Sequence, residues 1–425
     1  MRPGPRTTGV PGSAVRTGIL DGVRGGIRAV PAPRPILPYV LRDARTHQEP
    51  GHVTPASSHS PLRTVQVLGG GNAASSAHVR SLAAGLVARG VRVTVCAPAE
   101  ADHAYGFTDV GADHVHVPRS SDPASVAALR AACARADLVH AHGLHASFRT
   151  VLALGGRRTP LVVTWHDRAR AEGPRAHFLR VLERRVAKAA AVVLGTTSAL
   201  VDRARRAGAR DARLAAVSLP GPRVLPAPDD PDGLRPKIRA ELGATGRPLL
   251  IAVGSLERHR GYDVLLDATH AWRRLDPVPL VVLAGEGSLR GELQRRIEAE
   301  ELPVRLIGRR DDISDLLAAA DVALLPSRWE SRSPLAQEAL HARVPLVATA
   351  VGGIPELVGD AAELVPYGNA RALADAVERL LEDPGRRELL AERGARQAAT
   401  WPTEDETVAQ VLSVYDELTQ PRPLI

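Results

Sequence analysis

Two glutamates on either side of a helix start have the clearest chemistry in this chain. Glu330 and Glu338 flank Ser333-Pro334, a pair that favours the N-cap and first turn of a helix. A strand pattern follows at Leu346–Thr349, and Gly352-Gly353 opens the next helix. This layout predicts a pocket that holds a nucleotide on one side and a sugar on the other. Two solvated glutamates near a helix are the plain alternative.

The predicted helix start supplies groups that bind an anion. Backbone N–H groups in a first helical turn have no partner within the helix, so after Ser333-Pro334 those of Leu335 and Ala336 can face a diphosphate. Ser333, Pro334 and Leu335 are therefore predicted to border it. Glu338 lies in the second turn, and carboxylates commonly accept hydrogen bonds from the vicinal hydroxyls of ribose. We therefore predict a nucleoside diphosphate at this end of the helix.

Three glycines, Gly69, Gly70 and Gly71, end the first predicted strand. Glycines let a ligand approach the backbone closely and leave helix N–H groups free. The run is not G-x-G-x-x-G, and the next strand, Val91–Cys96, ends at Ala97-Pro98 without an acidic residue. Both features argue against NAD, so we expect no cofactor, only a nucleotide-sugar substrate.

Histidines follow two of the predicted strands. His166 is expected to point into a cleft, although a loop histidine satisfied by Asp167 is the alternative. His140, His142 and His145 follow an earlier strand, where no Cys or carboxylate completes a metal-ligand spacing. We therefore expect no metal site and assign this group to the wall of the acceptor side.

Strand and helix patterns alternate along two stretches of the chain, beginning at Thr64 and at Leu249. Such alternation is typical of parallel sheets with helices on both faces, so we predict an α/β fold of two Rossmann-like, doubly wound domains facing each other across a cleft. The predicted segments are an extension (1–60), a first domain (61–220), a linker (221–247), a second domain (248–400) and a C-terminal helix that packs back on the first domain (401–425).

The extension is basic and rich in residues that disfavour regular structure. Residues 1–60 hold eight Arg, eight Gly and nine Pro against three acidic residues, so +5 of the net charge of +8 lies there. Such a segment cannot bury enough surface to offset its ordering entropy, and we expect it to be disordered. Peripheral contact with an anionic membrane stays open. Aromatic residues make up 3% of the chain, which argues against a nucleic-acid partner that stacks bases.

Cysteine usage and hydropathy indicate the compartment. Cys96 and Cys133 lie in apolar surroundings without metal-ligand spacing, as core thiols of a reduced protein do. No run approaches the ~18 apolar residues of a membrane span, and no apolar segment follows the N-terminal charges as a signal peptide requires. We expect a cytoplasmic protein, with peripheral contact at the inner face of the membrane left open.

Several short motifs keep a fixed order along the chain. They are Val253–Gly261, Leu283–Gly287, Ile307-Gly308, Ala320–Ser327 and Glu330–Glu356, with looser matches at Gly69–Gly71, Gly90–Val93, Asp137–His142 and Thr164–His166. In order and spacing they resemble the large retaining glycosyltransferase family numbered four, of GT-B architecture. Within it, the chain is similar to phosphatidylinositol mannosyltransferase-like and mycothiol-type inositol-phosphate glycosyltransferases. Residues 1–60 lie outside the resemblance.

The resemblance implies roles for individual residues. Glu330 would lie near the reacting carbon of the donor sugar, and His166 would contact that sugar. Gly70 and Gly71 would border the donor phosphates, and the backbone of Arg309 would contact the base. A backbone contact leaves the choice between UDP and GDP open.

The phosphate contacts depart from the family pattern. The family usually has an Arg where this chain has Ser255, and a Lys close to the position of Arg260. Arg260 keeps a positive charge that can fork onto phosphate. Ser255 removes one expected contact, and Arg258 or His259 is near enough in sequence to replace it. Whether the loss abolishes activity stays open.

The resemblance implies retaining transfer from a nucleoside-diphosphate sugar to an acceptor that the sequence does not identify. No Asp-x-Asp motif stands at a strand end, so helix N-termini and Arg260 are expected to replace a metal at the departing diphosphate. The acceptor would attack from the leaving-group face, without a dedicated base. Two alternatives stay open: a sugar-nucleotide epimerase of the same architecture, and a non-catalytic protein that binds nucleotide sugars.

Overall fold

The computed structural model describes residues 60–69, 73–118, 122–168, 174–218 and 233–420. These residues belong to one unit of contacts, His59–Ile425. The predicted extension, most of the predicted linker, and both Gly70 and Gly71 lie outside the described residues.

The first half of the chain forms a parallel sheet of seven strands in the order β3-β2-β1-β4-β5-β6-β7. Its strands are β1 (Arg63–Leu68), β2 (Arg92–Ala97), β3 (Asp113–His116), β4 (Leu138–His142), β5 (Leu161–Trp165), β6 (Val192–Gly195) and β7 (Ala212–Leu214). The helices between them are α1 (Ala73–Ala88), α2 (Ala99–Tyr105), α3 (Pro123–Ala132), α4 (Leu144–Leu154), α5 (Pro174–Ala189) and α6 (Ser198–Arg206).

The second half repeats the design with six parallel strands in the order β10-β9-β8-β11-β12-β13. Its strands are β8 (Leu249–Val253), β9 (Leu280–Ala284), β10 (Val304–Gly308), β11 (Val322–Leu325), β12 (Leu346–Thr349) and β13 (Glu363–Val365). The helices are α7 (Leu234–Glu241), α8 (Tyr262–Trp272), α9 (Arg290–Ala299), α10 (Ile313–Ala319), α11 (Pro334–His341), α12 (Ile354–Val358), α13 (Ala370–Glu382) and α14 (Pro384–Ala398), before the last helix, α15 (Glu404–Thr419).

Each sheet is covered on both faces, so its central strands are buried along most of their length. Most of these strands read as continuous apolar runs such as Leu280–Ala284. Strand β4 departs from the rule because His140 and His142 occupy buried positions within it. Buried polar groups need partners, so these two histidines mark a polar patch inside the first domain. The predicted pair of doubly wound parallel sheets is confirmed.

Helix α15 packs onto the first sheet. Its N-terminus is closed by a capping box between Thr403 and Glu406. Val408 packs beside Gly85 of α1 so closely that a Cβ atom at position 85 would overlap the valine side chain. The buried Tyr415 hydroxyl accepts a hydrogen bond from Gln66 Nε2 on β1 at 2.9 Å. The last helix thus completes the core of the first domain.

Both cysteines are buried, and burial raises the pKa of the Cys133 thiol to about 12. The pKa of Cys96 is raised for the same reason. Both thiols therefore stay protonated and chemically inert at neutral pH. Among the described helices, none is long and apolar enough to cross a membrane.

Candidate functional site

The carboxyl ends of the two sheets meet at the turn between β6 and α6. The Oγ atoms of Thr196 and Ser331 lie 2.8 Å apart, and the Ser198 backbone N–H donates to Glu356 Oε2 at 3.0 Å. Ligands bind parallel sheets at the carboxyl ends of the strands. This meeting place is therefore the natural location for a site shared by the two domains.

Glu330 lies at this place and is held by two partners. Its carboxylate is ion-paired with Arg260 Nη1, and its Oε1 accepts a hydrogen bond from Ser327 Oγ at 2.8 Å. The residue is 9% exposed, so the pair is largely shielded from water. Arg260 Nε is buried and has no partner among the residues described. The Arg260 guanidinium thus pairs with Glu330 through Nη1, while its Nε has no acceptor among the described residues.

The Gly352-Gly353 turn wraps around the backbone of Glu330 and Ser331. The Gly353 N–H donates to the Glu330 carbonyl at 2.9 Å. Gly352 has φ +57°, and a Cβ atom there would overlap that same carbonyl oxygen. A side chain at either glycine would displace the loop that carries Glu330, which explains the glycine pair next to the two glutamates.

Helix α11 begins where the sequence predicts. Ser333 is the N-cap, its Oγ accepting from the Ala336 N–H at 3.4 Å, and Pro334 occupies the first turn. Leu335 is buried. Glu338 lies one turn further, and burial raises the pKa of its carboxyl group. No hydrogen bond or ion pair within the described part of the chain engages that carboxylate, so it is available to a ligand.

Two other predicted donor residues lie on the surface. Ser255 is exposed in the loop after β8. The side chain of Arg309 is 82% exposed, with its Nε 3.5 Å from Asp311. Among the described residues, neither forms a hydrogen bond or ion pair with Arg260 or Glu330. An exposed Arg309 side chain is compatible with the backbone role that the resemblance implies, since a backbone contact does not depend on where the side chain lies.

Arg332 is a candidate that the sequence reasoning missed. Its Nε and Nη2 are buried and lack a partner among the described groups, and burial lowers the pKa of the guanidinium. Glu356 opposes that shift through its charge. The available signal was an arginine placed between Glu330 and the N-cap Ser333, where an unpaired charge is costly unless a ligand meets it.

Three histidines converge at the carboxyl ends of β4 and β5. His142 Nδ1 lies 3.2 Å from His166 Nε2, and the His78 ring centroid lies 5.1 Å from that of His166. His78 comes from α1 and was missed, although a polar side chain on the buried face of that helix was a usable signal. His145 is exposed and does not take part.

The protons on these rings follow from their partners. His142 Nε2 faces Gln66 Oε1 at 3.0 Å, an atom that only accepts, so this nitrogen carries the hydrogen and Nδ1 presents a lone pair. Burial lowers the pKa of His78 to about 4 and holds the pKa values of His142 and His166 well below the usual range. All three imidazoles are neutral at pH 7.

The hydroxyl of Thr196 connects the two halves of the site. It donates to the His166 backbone carbonyl at 3.3 Å, which leaves its oxygen to accept from Ser331 Oγ at 2.8 Å. Ser331 follows Glu330 directly. His166 and Glu330, predicted from separate domains, are thus brought together through one threonine.

Two family patterns match the chain. The family described as "Glycosyl transferases group 1" matches residues 235–397, and "Glycosyl transferase 4-like domain" matches residues 74–220. Together these segments include the whole second sheet and strands β2 to β7 of the first, while β1 (Arg63–Leu68) precedes the first match.

Curated relatives and solved structures agree with these matches. A D-inositol 3-phosphate glycosyltransferase from Xylanimonas cellulosilytica is 31% identical over 390 residues, covering 81% of this chain and 92% of the relative. An alpha-D-kanosaminyltransferase from Streptomyces kanamyceticus is 30% identical over 278 residues, covering 61% of this chain and 71% of the relative. The Anabaena protein Alr3699/HepE, solved with UDP and glucose, superposes with a TM-score of 0.70 at 20% identity, covering 83% of this chain and 99% of that protein.

Proposed function

Since the chain belongs to the glycosyl transferases group 1 family and is a glycosyltransferase, we propose that it is a retaining, metal-independent enzyme that uses a nucleoside-diphosphate sugar. The observation that carries the proposal is the Thr196 bridge. It links the backbone of His166 in one domain to Ser331 in the other, the residue next to Glu330, whose carboxylate is paired with Arg260. A sugar between these groups would have its reacting carbon next to a carboxylate and its diphosphate next to an arginine.

The donor in this proposal is a UDP- or GDP-type sugar with its nucleotide against α11. Glu338 would accept hydrogen bonds from the ribose hydroxyls, and the N-terminal turn at Ser333 would meet the diphosphate. UDP bound to Alr3699/HepE and the UDP-glucose of a further structure of that protein make UDP the first nucleotide to test.

Charge separation sets the barrier in this reaction, because the sugar carbon becomes cationic while the diphosphate leaves as an anion. Arg260 would keep one nitrogen on Glu330 and turn a free donor to the diphosphate, and the α11 N-terminus would add its dipole. A fixed arginine and helix dipole supply positive charge that a metal would otherwise provide. This is the physical support for metal independence.

Retention follows in the proposal from attack on the leaving-group face. The acceptor hydroxyl would pass its proton to the departing phosphate oxygen, so no separate base is needed and none is assigned. Inositol phosphate is the first acceptor to screen, because a relative that covers most of this chain is named for it. The basic segment of residues 1–60 would bring the enzyme to anionic membranes when the acceptor is lipid-linked.

The test is a donor and acceptor screen with the full chain. UDP- and GDP-sugars are incubated with inositol phosphate and with cell extract, and products are identified by mass spectrometry and their anomeric configuration by NMR. The proposal expects a product with the donor's configuration and a rate that EDTA does not lower. Inverted product would disprove retention, and a rate lost in EDTA would disprove metal independence.

The same screen separates the alternatives. Turnover of the sugar nucleotide to an isomer without acceptor would identify an epimerase. Stabilisation by UDP or GDP in a thermal-shift titration without any turnover would identify a non-catalytic binding protein. Arg332 Nε and Nη2 and the Glu338 carboxylate, which lack partners among the described groups, favour occupancy by a ligand in either case.

A further inference from the structure

Three imidazoles from three separate elements meet in the first domain. His78 lies on α1, His142 ends β4 and His166 follows β5. Their possible ligand atoms all lie within 4.8 Å of one another. Two buried polar side chains that bond to each other would be enough for hydrogen bonding at the ends of β4 and β5. Hydrogen bonding alone therefore does not account for three histidines here.

We propose that His78, His142 and His166 form a binding site for a transition-metal cation of the Zn²⁺ type, and that an ion bound there inhibits sugar transfer. Binding itself does not depend on the proposed function, whereas the inhibition rests on it. The site shares His166 with the proposed donor site, whose positive charge comes from Arg260 and α11.

The spacing of the nitrogens suits a tetrahedral ion. Zn–N bonds of about 2.0–2.1 Å imply roughly 3.3 Å between two ligand nitrogens of a tetrahedron. His142 Nδ1 and His166 Nε2 lie 3.2 Å apart, so this edge has the right length, and both nitrogens become ligands when the His166 proton moves from Nε2 to Nδ1. His78 lies within 4.8 Å of both and reaches the third corner by turning its ring. The fourth corner is left for water or a ligand.

A second set of contacts orients the central ligand. Gln66 Oε1 accepts from His142 Nε2 at 3.0 Å, which directs the Nδ1 lone pair towards the other two rings. Gln66 is itself fixed by donating to the Tyr415 hydroxyl at 2.9 Å. An acceptor behind a histidine that sets its tautomer is the usual outer support of a metal ligand.

His140 belongs to the support and not to the site. Its Nδ1 lies 2.8 Å from the Tyr415 hydroxyl and its Nε2 lies 2.7 Å from Thr164 Oγ1, so both nitrogens are used. Its ring stacks on His142 with centroids 4.3 Å apart. His140 therefore fixes the plane of the His142 ring while offering no lone pair to an ion.

The ligand set selects the cation. Three neutral imidazoles suit Zn²⁺ and its neighbours Co²⁺, Ni²⁺ and Cu²⁺, whereas Mg²⁺ and Ca²⁺ prefer oxygen ligands. No carboxylate belongs to the trio. His78 and His142 are each 4% exposed and His166 is more open, so an ion would enter from the His166 side.

An ion at this site would oppose transfer for two reasons. His166 would be held by the metal and lost as a contact to the donor sugar. The ion's positive charge would also lie near a sugar carbon that becomes cationic in the transition state, which raises the barrier in a site of low dielectric. The inference is thus an inhibitory site.

The binding test titrates the metal-free full chain with Zn²⁺, and separately with Co²⁺ and Mg²⁺, by calorimetry. We expect about one Zn²⁺ or Co²⁺ at this site and none of Mg²⁺. His78→Ala and His142→Ala should weaken the affinity for Zn²⁺ more than about 100-fold. Gln66→Ala, which keeps all three imidazoles, should weaken it by about 10–100-fold. His145→Ala is the matched control, because this exposed histidine lies on the adjacent turn and should leave the affinity as in the wild type.

Thermal unfolding of each metal-free variant shows whether it is folded. If a histidine variant is not folded, Gln66→Ala still tests the site. The proposal is overturned if the wild type binds Zn²⁺ no more tightly than His78→Ala and Gln66→Ala.

For inhibition, each variant's rate of transfer with Zn²⁺ is divided by its own metal-free rate. We expect this ratio to fall at least about tenfold in the wild type and to stay near one in His78→Ala. Tight binding with an unchanged ratio would remove the inhibitory role.

Discussion

At the scale of single residues, the main finding is that Arg260 and Glu330 are partners. The sequence assigned one to phosphate and the other to the sugar carbon, as separate contacts. Their pairing means that each fixes the other before a donor arrives. Preorganised charge of this kind is worth more than the same charge on a mobile side chain, because no reorganisation is needed during the reaction.

The pair can be separated by substitution. Glu330→Gln should lower transfer at least about 100-fold while changing UDP or GDP affinity less than about threefold, because the proposed role of its carboxylate is toward the sugar and not the nucleotide. Arg260→Ala should weaken nucleotide binding about 10–100-fold, in line with the loss of hydrogen bonds to a charged group. Calorimetric titration and rate measurements on both variants check this. Equal losses of binding in the two would contradict the division of roles.

Replacing the Glu338 carboxylate should weaken nucleotide binding and at the same time stabilise the fold. Glu338→Gln is expected to weaken nucleotide binding about tenfold, because an amide accepts ribose hydroxyls less well than a carboxylate. The same variant should raise the melting temperature at pH 7, since burial disfavours the charged form.

The pH dependence follows from the raised pKa of Glu338. A carboxyl with a folded-state pKa above its ordinary 4.5 keeps its proton longer in the folded than in the unfolded chain. Stability is therefore lost as pH rises through that window, and the gain from Glu338→Gln should vanish below it. Melting curves from pH 3 to 8 for the wild type and Glu338→Gln test this. Glu388→Gln, an exposed site on α14, should show no gain at any pH.

At the scale of elements, the glycine turn before α12 sets the position of Glu330. Gly352 and Gly368 have similar left-handed backbones, with φ of +57° and +78°. Nothing lies within 4 Å of a Cβ added at Gly368, whereas at Gly352 it would overlap the Glu330 carbonyl. Substitutions at these two positions thus distinguish the cost of backbone strain from the effect of moving the loop that carries Glu330.

We expect Gly368→Ala to cost about 1–2 kcal/mol of stability and leave transfer nearly unchanged, since it carries only the left-handed penalty. Gly352→Ala should lose transfer at least about tenfold in addition, because the Glu330 loop must move. Chemical unfolding and rate assays are the measurements. If both variants transfer equally well, the turn does not position Glu330.

Helix and strand patterns made the elements predictable. The Ser333-Pro334 pair gave the start of α11, and the apolar runs gave the strands of both sheets. The contacts between elements were not accessible in the same way. Arg260 and Glu330 are seventy positions apart, and only the order of strands β8 and β11 brings them together.

His78 shows the same limit. Within α1 it reads as one polar residue among alanines and serines, and only the docking of that helix over β4 and β5 reveals two further imidazoles. The expectation of no metal site was drawn from sequence spacing, which detects ligands close in the chain. A trio contributed by α1, β4 and β5 has no such spacing, so the inferred cation site departs from that expectation.

At the scale of the whole molecule, α15 joins the end of the chain to its first strand. Tyr415 accepts from Gln66 on β1 and lies 2.8 Å from His140 Nδ1 on β4. Its hydroxyl is thus the link between the last helix and the polar patch under the histidines.

Removing that hydroxyl should weaken the link without leaving a large cavity. Tyr415→Phe is expected to cost about 1–3 kcal/mol, because Gln66 and His140 each lose a buried partner. Tyr367→Phe is the control, since Tyr367 is 38% exposed, and it should cost less than about 0.5 kcal/mol. Urea unfolding measures both. Equal midpoints for the two variants would show that the link does not contribute.

The return of α15 also has a consequence for how the protein is made. The first domain lacks Val408, Val411 and Tyr415 until the last part of the chain has left the ribosome. At about 5–20 residues per second, synthesis from Ser218 to Glu404 takes roughly 10–40 s, during which the nascent first sheet has an uncovered apolar face. The second domain, continuous in sequence, is complete earlier. The first domain therefore leaves the ribosome first but completes its core last. It is the domain that a chaperone would need to shield during synthesis.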